Sequence, residues 1–273
     1  MGHPPLKKYG QHFLISPAAV QKIIDAAALC PKDAVLEIGP GRGVLTGLLA
    51  GKAASVLAVE VDTRLAEELK REYSSCKNLT ILNKDFLKLD LPQILDHHGI
   101  KKFKVVANLP YYITTPILER LFAVRDRIES IVVMVQREMA DRMAAQPGTD
   151  YGSFSVFVQY HAGVEKLFEV PPGAFFPPPK VTSTVIRLTP HQRPPVKVTD
   201  EAAFFKFVQK TFSQRRKMLR AIFRQAFKIE GSGLAPLADK SGIDLTRRPQ
   251  TVSLSEFARL YECFEEKQKE TTA

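Results

Sequence analysis

A glycine-rich loop, two further acids and one asparagine carry most of the chemistry offered by this 273-residue sequence. In Glu37-Ile38-Gly39-Pro40-Gly41-Arg42-Gly43 the glycines read G-x-G-x-G, which lets the backbone approach a ligand where side chains would block it. A dinucleotide fingerprint needs its third glycine at position 44, and that residue is Val44. The pattern, with an acid two residues before Gly39, favours an adenosyl ligand without a pyrophosphate, and a tight structural turn is the alternative. Glu60 follows Gly39 by 21 residues, about where α/β folds place the carboxylate that binds ribose hydroxyls. Asp85 comes next, then Asn108-Leu109-Pro110-Tyr111. Asn108 supplies a neutral amide acceptor. Pro110 holds Leu109 extended, which aims its carbonyl outward. Tyr111 offers a flat face for a base, a contact worth roughly 1–3 kcal/mol. No Asp–His or Cys–His dyad is evident. Cys30, Cys76 and Cys263 lie too far apart for a disulfide framework or a paired metal spacing, so no metal is expected.

These residues need elements to hold them. Short apolar, β-branched runs occur at 34–38, 56–60, 79–82, 103–107 and 131–135, with helical stretches such as 63–73 between them. Strand–helix alternation at this pitch predicts a parallel sheet covered by helices. Glu37, Glu60 and Asp85 then fall at the C-terminal ends of three successive strands and converge on one crevice. A late strand is expected at 181–188, with an antiparallel edge as its reading. It follows a stiff segment, 171–179, with five prolines, which cannot be helix. Residues 189–195 read as a linker. The expected division is therefore an α/β domain over 1–190 and a small all-helical domain over 191–273.

Charge points to a polyanion. Lys and Arg number 39 against 29 Asp and Glu, a net charge of +10, and such a surplus favours nucleic acid or an anionic surface. Residues 203–229 hold eight cations and no acid. On a single helix, Lys206, Lys210, Lys217, Arg220, Arg224 and Lys228 would share one narrow stripe, with Arg216 beside Lys217. Arg215 would fall opposite, partly buried and paired. A second helix capped by Ser213 would break the register. No apolar run approaches the 18 residues that span a bilayer. Nor does the N-terminal stretch have an apolar signal-peptide core, so no membrane partner and a cytoplasmic location are expected.

The chain resembles the ribosomal RNA adenine N6,N6-dimethyltransferases, specifically the KsgA (RsmA) branch acting on small-subunit rRNA. The likeness rests on Gly10-Gln11-His12-Phe13-Leu14, the 37–43 loop, Glu60, Asp85 and Asn108-Leu109-Pro110-Tyr111. It continues through Phe175-Phe176-Pro177-Pro178-Pro179-Lys180-Val181, Gln214-Arg215-Arg216-Lys217, Arg248-Pro249, Leu254-Ser255 and Phe257. It departs at Tyr112, where the bacterial pattern often has Asn.

The resemblance implies a Rossmann-like class I methyltransferase sheet, S-adenosylmethionine as methyl donor, and small-subunit rRNA in the assembling 30S subunit as partner of a monomer. It implies donor contacts from His12, Leu14, Gly39, Gly41, Glu60, Asp85 and Asn108. Glu60 would hold the ribose and Asp85 the adenine amine of the donor, under a lid formed by the N-terminal arm, residues 1–16. The Asn108 side-chain oxygen and the Leu109 carbonyl would accept the hydrogens of the target amine, with Tyr111 and Phe175 clamping the base. The expected reaction is dimethylation at N6 of two adjacent adenosines near the 3′ end of 16S rRNA. Alternatives are a large-subunit methyltransferase of the macrolide-resistance type and a non-catalytic RNA-binding factor on the same fold.

Overall fold

A computed structural model of the chain describes residues 4–6, 9–229 and 231–272. In chain order the elements are β1 (Phe13–Leu14), α1 (Pro17–Ala26), β2 (Ala34–Ile38), α2 (Thr46–Ala50), β3 (Ser55–Glu60), α3 (Thr63–Glu72) and β4 (Leu79–Asn83). They continue with α4 (Leu91–His97), β5 (Phe103–Asn108), α5 (Thr114–Phe122), β6 (Ile128–Gln136), α6 (Arg137–Ala144), α7 (Ser153–His161), β7 (Ala162–Val170), β8 (Phe175–Phe176) and β9 (Ser183–Pro190). Four helices complete the chain: α8 (Glu201–Phe212), α9 (Leu219–Ala226), α10 (Leu234–Ser241) and α11 (Leu254–Thr272).

The chain forms two compact units, one of residues 1–140 and 163–190, the other of 141–162 and 191–273. The first is built on a seven-stranded sheet of order β4-β3-β2-β5-β6-β9-β7. The β3–β4, β2–β3, β2–β5 and β5–β6 pairs are parallel, and β6–β9 is antiparallel. Central strands are apolar almost without interruption because helices cover both faces of such a sheet. Residues 131–135, all Ile, Val or Met, are buried. Helix starts are fixed locally: Ser16, Asp62 and Asp90 cap α1, α3 and α4 by accepting from backbone amides of the first turn.

Chain order places the crevice. From β2 the path runs outward through β3 and β4, then returns to the other side of β2 as β5 and moves on to β6. Between β2 and β5 the direction of winding reverses, and the loops leaving the C-terminal ends of these two strands part from each other there.

Two expectations need correction, and one alternative is decided. The late strand runs antiparallel but is internal, since β9 lies between β6 and β7. The sheet ends instead at β7, a strand absent from the sequence reading; its Glu165, Lys166 and Glu169 interrupt the apolar alternation, as charges on edge strands commonly do. A single domain over 1–190 also does not hold. Residues 141–162 belong to the second unit, where Tyr151, Val156 and Tyr160 join one core with Phe204, Phe207, Phe212, Phe223, Phe257 and Tyr261. Finally, of the two readings of the basic stretch the broken one holds, and it is not one helix. α8 ends at Phe212 and α9 begins at Leu219. Ser213 closes the first, its Oγ donating to the Lys210 carbonyl at 2.7 Å, rather than opening the second.

Candidate active site

The loop from β2 to α2 is built to leave space. Gly39, Gly41 and Gly43 all have positive φ, between 60° and 75°. At Gly43 the requirement is double, because a Cβ there would stand 2.6 Å from Leu69 Cδ2 in addition to the left-handed strain. Tyr73, just beyond α3, supports the loop from below, its hydroxyl donating to the Gly43 carbonyl at 3.3 Å. With the loop pressed on α3, the space above Gly39 stays open, whereas a Cβ at Gly41 would stand 3.3 Å from Phe13 Cδ1; both glycines line a pocket that, with the solvent it opens to, holds about 860 Å³.

The same pocket is lined by Glu37 from β2, Glu60 from β3, Asn108-Leu109-Pro110-Tyr111-Tyr112 following β5, and the segment Tyr9–Leu14. The sequence-predicted His12, Leu14, Gly39, Gly41, Glu60, Asn108, Leu109 and Tyr111 are therefore brought together at the reversal between β2 and β5. Asp85 is at the end of β4 as expected, but it is not part of the lining. Its carboxylate accepts from the Leu87 amide at 3.0 Å, with Lys88 Nζ at 3.9 Å.

Two buried acids set the electrostatics. Glu37 is 1% exposed and accepts a 2.8 Å hydrogen bond from Thr46 Oγ1. Burial lifts its carboxyl to about 8; the Thr46 bond opposes this and the charge of Glu60 adds to it. Glu60 accepts from the Gly41 amide at 3.0 Å and from the Asp62 amide at 2.9 Å. Burial raises its pKa against those bonds. With the Val61 amide as a third donor, the four lone-pair positions of the Glu60 carboxylate still leave room for a hydroxyl donor. A base-free cradle of backbone, a carboxylate spanning from loop to strand end, and no Cβ over Gly39 fit an adenosyl group with a ribose diol.

Asn108 is oriented by its own surroundings. Its Nδ2 donates to the His12 carbonyl at 3.2 Å, which leaves Oδ1 as the side chain's acceptor. Leu109 is anchored through its amide, which donates to the Met134 carbonyl at 3.1 Å. The Tyr111 hydroxyl and Ser183 Oγ share a 2.6 Å hydrogen bond that fixes the ring, and burial pushes the phenol upward and keeps it neutral. The His12 ring lies 6.0 Å from it at 21°, with Nδ1 2.8 Å from the Pro177 carbonyl.

The expected partner of Tyr111 across a base is displaced. Phe175 is 2% exposed and packs in the core with Leu14, Val20, Ile23 and Ile24. Successive residues of a strand face opposite ways, so the outward ring of β8 is Phe176, at 51% exposure. Sequence reasoning also missed Gln11 as a latch. Gln11 accepts from the Leu6 amide at 2.7 Å and donates to Asp62 at 3.1 Å. Arg64 holds that Asp62 carboxyl down at about 2. The only sequence signal for this latch was its place within Gly10–Leu14.

In the helical unit the seven singled-out cations are all exposed. Lys206 and Lys210 lie on α8, Arg216 and Lys217 in the turn, Arg220 and Arg224 on α9, and Lys228 beyond it. Lys210 Nζ sits 4.6 Å over the Phe227 ring and Lys217 donates to Gln225 at 2.5 Å. Arg215 is paired as expected, donating to the Thr149 carbonyl at 2.8 Å, but it is exposed rather than partly buried.

Comparison with known proteins gives the family. Residues 3–266 match the family model described as ribosomal RNA adenine dimethylase. A protein of Lachnoclostridium phytofermentans named "Ribosomal RNA small subunit methyltransferase A" is 45% identical over 96% of this chain and 92% of its own length. One of Staphylococcus epidermidis with the same name is 42% identical over 94% and 88%. Among solved structures, a dimethyladenosine transferase from Plasmodium falciparum matches with a TM-score of 0.76 at 27% identity, covering 94% of this chain and 98% of that one. The 23S rRNA methyltransferase ErmE matches at 0.72 and 26%, covering 93% and 99%. By its sequence, its fold and the residues that meet in its crevice, this chain belongs to the ribosomal RNA adenine dimethylase family.

Proposed function

We infer that the protein transfers methyl groups from S-adenosylmethionine to N6 of two adjacent adenosines near the 3′ end of 16S small-subunit rRNA. The observation that carries this reading is the meeting, at one strand reversal, of a glycine cradle, a ribose-binding carboxylate and an asparagine whose oxygen is free to accept. Gly39, Gly41, Glu60, His12 and Leu14 would hold the donor, with Asp85 reaching its adenine from the end of β4. The bound donor supplies a methyl on a sulfonium, which is a good leaving group.

The exocyclic amine of adenine is a poor nucleophile because its lone pair is delocalised into the ring. Asn108 Oδ1 and the Leu109 carbonyl would accept its two hydrogens, drawing the lone pair out of conjugation. Positive charge developing on nitrogen meets these fixed dipoles, so positioning and charge stabilisation replace a general base, and the proton leaves to water after the methyl has moved. Tyr111, held by Ser183, would supply the stacking face. After the first transfer one N–H remains, and one of the two acceptors goes without its donor.

We assign RNA affinity to the helical unit, through Lys206, Lys210, Arg216, Lys217, Arg220, Arg224 and Lys228, whose exposure supports phosphate contact. An assembling 30S subunit as partner, action as a monomer and a cytoplasmic site of work complete the reading. The large-subunit alternative has the ErmE likeness at 26% identity behind it, whereas relatives at 41–45% are named for the small subunit. The deciding experiment incubates the protein with labelled donor and small subunits lacking the modification, with large subunits as control. Label on small subunits alone is expected; label on large subunits alone would overturn the assignment.

A further inference from the structure

Phe176 is one of few large apolar side chains left in solvent, and its surroundings are not those of a stray surface residue. It pairs with Phe13 across the β1–β8 ladder, the two Cα atoms in register. Opposed residues of such a pair share a face, so Phe13 and Phe176 lie on one side and Leu14 and Phe175 on the core side. Phe13 also lines the pocket, as does Arg42. The Arg42 guanidinium stands 4.4 Å over the Phe13 ring and 6.0 Å from that of Phe176. An exposed ring and a flat cation thus continue from the pocket wall to its outside.

We propose that Phe176 and the Arg42 guanidinium form a stacking site for the RNA base adjoining the target adenine. The inference rests on the reading of the pocket as the place where an adenine amine reacts. To enter it, the target base must leave its stack, and the neighbouring base then loses a face. Aromatic rings and guanidinium planes restore such contacts whatever the identity of the base, and the guanidinium adds a charge suited to the phosphate between the two nucleotides. The strands hold Phe176 in place before RNA arrives: His12 Nδ1 lies 2.8 Å from the carbonyl of the adjoining Pro177.

The test is a double-mutant cycle in RNA binding with the full chain. Wild type and Phe176→Ala are titrated with a hairpin carrying the target adenines, and with hairpins bearing an abasic ribose on either side of the target. Phe176→Ala should weaken binding of the complete hairpin about tenfold, the scale of one lost base–aromatic stack. It should have little further effect once the partner base is missing, and Phe176→Trp should restore affinity. Affinity for S-adenosylhomocysteine, read by calorimetry, should stay at the wild-type level, which shows that the variant is folded. Equal losses with all hairpins, or no loss with any, would overturn the stacking site. Methyl transfer by the wild type is measured alongside; its absence would sink the dimethylation reading, while the binding cycle still decides the stacking site.

Discussion

The donor pocket and the basic surface of the helical unit solve opposite problems. In the pocket each group is fixed by a hydrogen bond within the fold. Asn108 is oriented by the His12 carbonyl, Glu60 by two amides, and the glycine loop by Tyr73. On the helical unit the cations sit on two helices and a turn, exposed on long side chains. A rigid group can stabilise a transition state because nothing has to reorganise when charge develops. Mobile cations can follow a phosphate backbone, whose attraction is long-ranged and undemanding in geometry. Removing one group from the pocket should therefore cost far more than removing one from the surface.

The strongest way to break that contrast is Asn108→Ala. Its kcat for methyl transfer should fall on the order of 10²-fold, as for loss of a main charge-stabilising group. Normal turnover with intact donor binding would remove Asn108 from the mechanism. Next comes Gly43→Ala. The added methyl meets Leu69 at a left-handed position, and strain of about 1–3 kcal/mol should appear as a lower melting temperature together with weaker binding of S-adenosylhomocysteine in calorimetry.

The pH dependence of stability sharpens the comparison further. Glu37 has its folded pKa raised to about 8 from 4.5 by burial. Its contribution is therefore fully present below about pH 4.5 and is lost as the pH rises toward 8. Glu37→Gln, neutral throughout, should melt at least about 5 °C above wild type at pH 8, with the gap closing near pH 4.5. Asp62 has the opposite sign. Held at about 2 by Arg64, it contributes above the ordinary carboxylate range and loses that contribution as the pH falls toward 2.

The smallest effects belong to the surface. If six of the basic residues neutralise phosphates, log K against log salt should slope at roughly −4 to −5. Any single Lys206→Gln or Arg220→Gln should reduce that slope by about 0.7–0.9 and weaken binding only a few-fold at moderate salt. A single surface change that abolishes binding would show that this face, too, works by fixed geometry.

Most of the pocket was legible because strand ends and glycines are written locally. The apolar runs around Glu37, Glu60 and Asn108 fix both the strands and the points where they stop. Phe175 and Phe176 were not separable in this way. Which of two adjacent phenylalanines faces the core depends on the two-residue pairing with Phe13-Leu14, far away in sequence. The Gln11–Asp62 latch is likewise a contact between segments 51 residues apart. The break between α8 and α9 was open only as an alternative, because residues 213–218 include no glycine or proline to mark a stop. The amides of Leu219 and Arg220 at the start of α9 donate to the carbonyls of Arg247 and Leu245, so that turn is tied to a distant segment.

The return of the chain after residue 162 has a consequence for how the protein is made and cut. β7, β8 and β9 are synthesised after α7, so the sheet of the first unit is completed only once a helix of the second has already emerged. That helix carries Val156 and Tyr160, whose aromatic neighbours on α8 and α11 come off the ribosome later still. A fragment ending at residue 190 would hold every strand yet leave those side chains bare to water, a surface prone to aggregation. Separating the two units cleanly calls for replacing 141–162 with a short loop as well as ending the chain at residue 190, not for a stop codon alone.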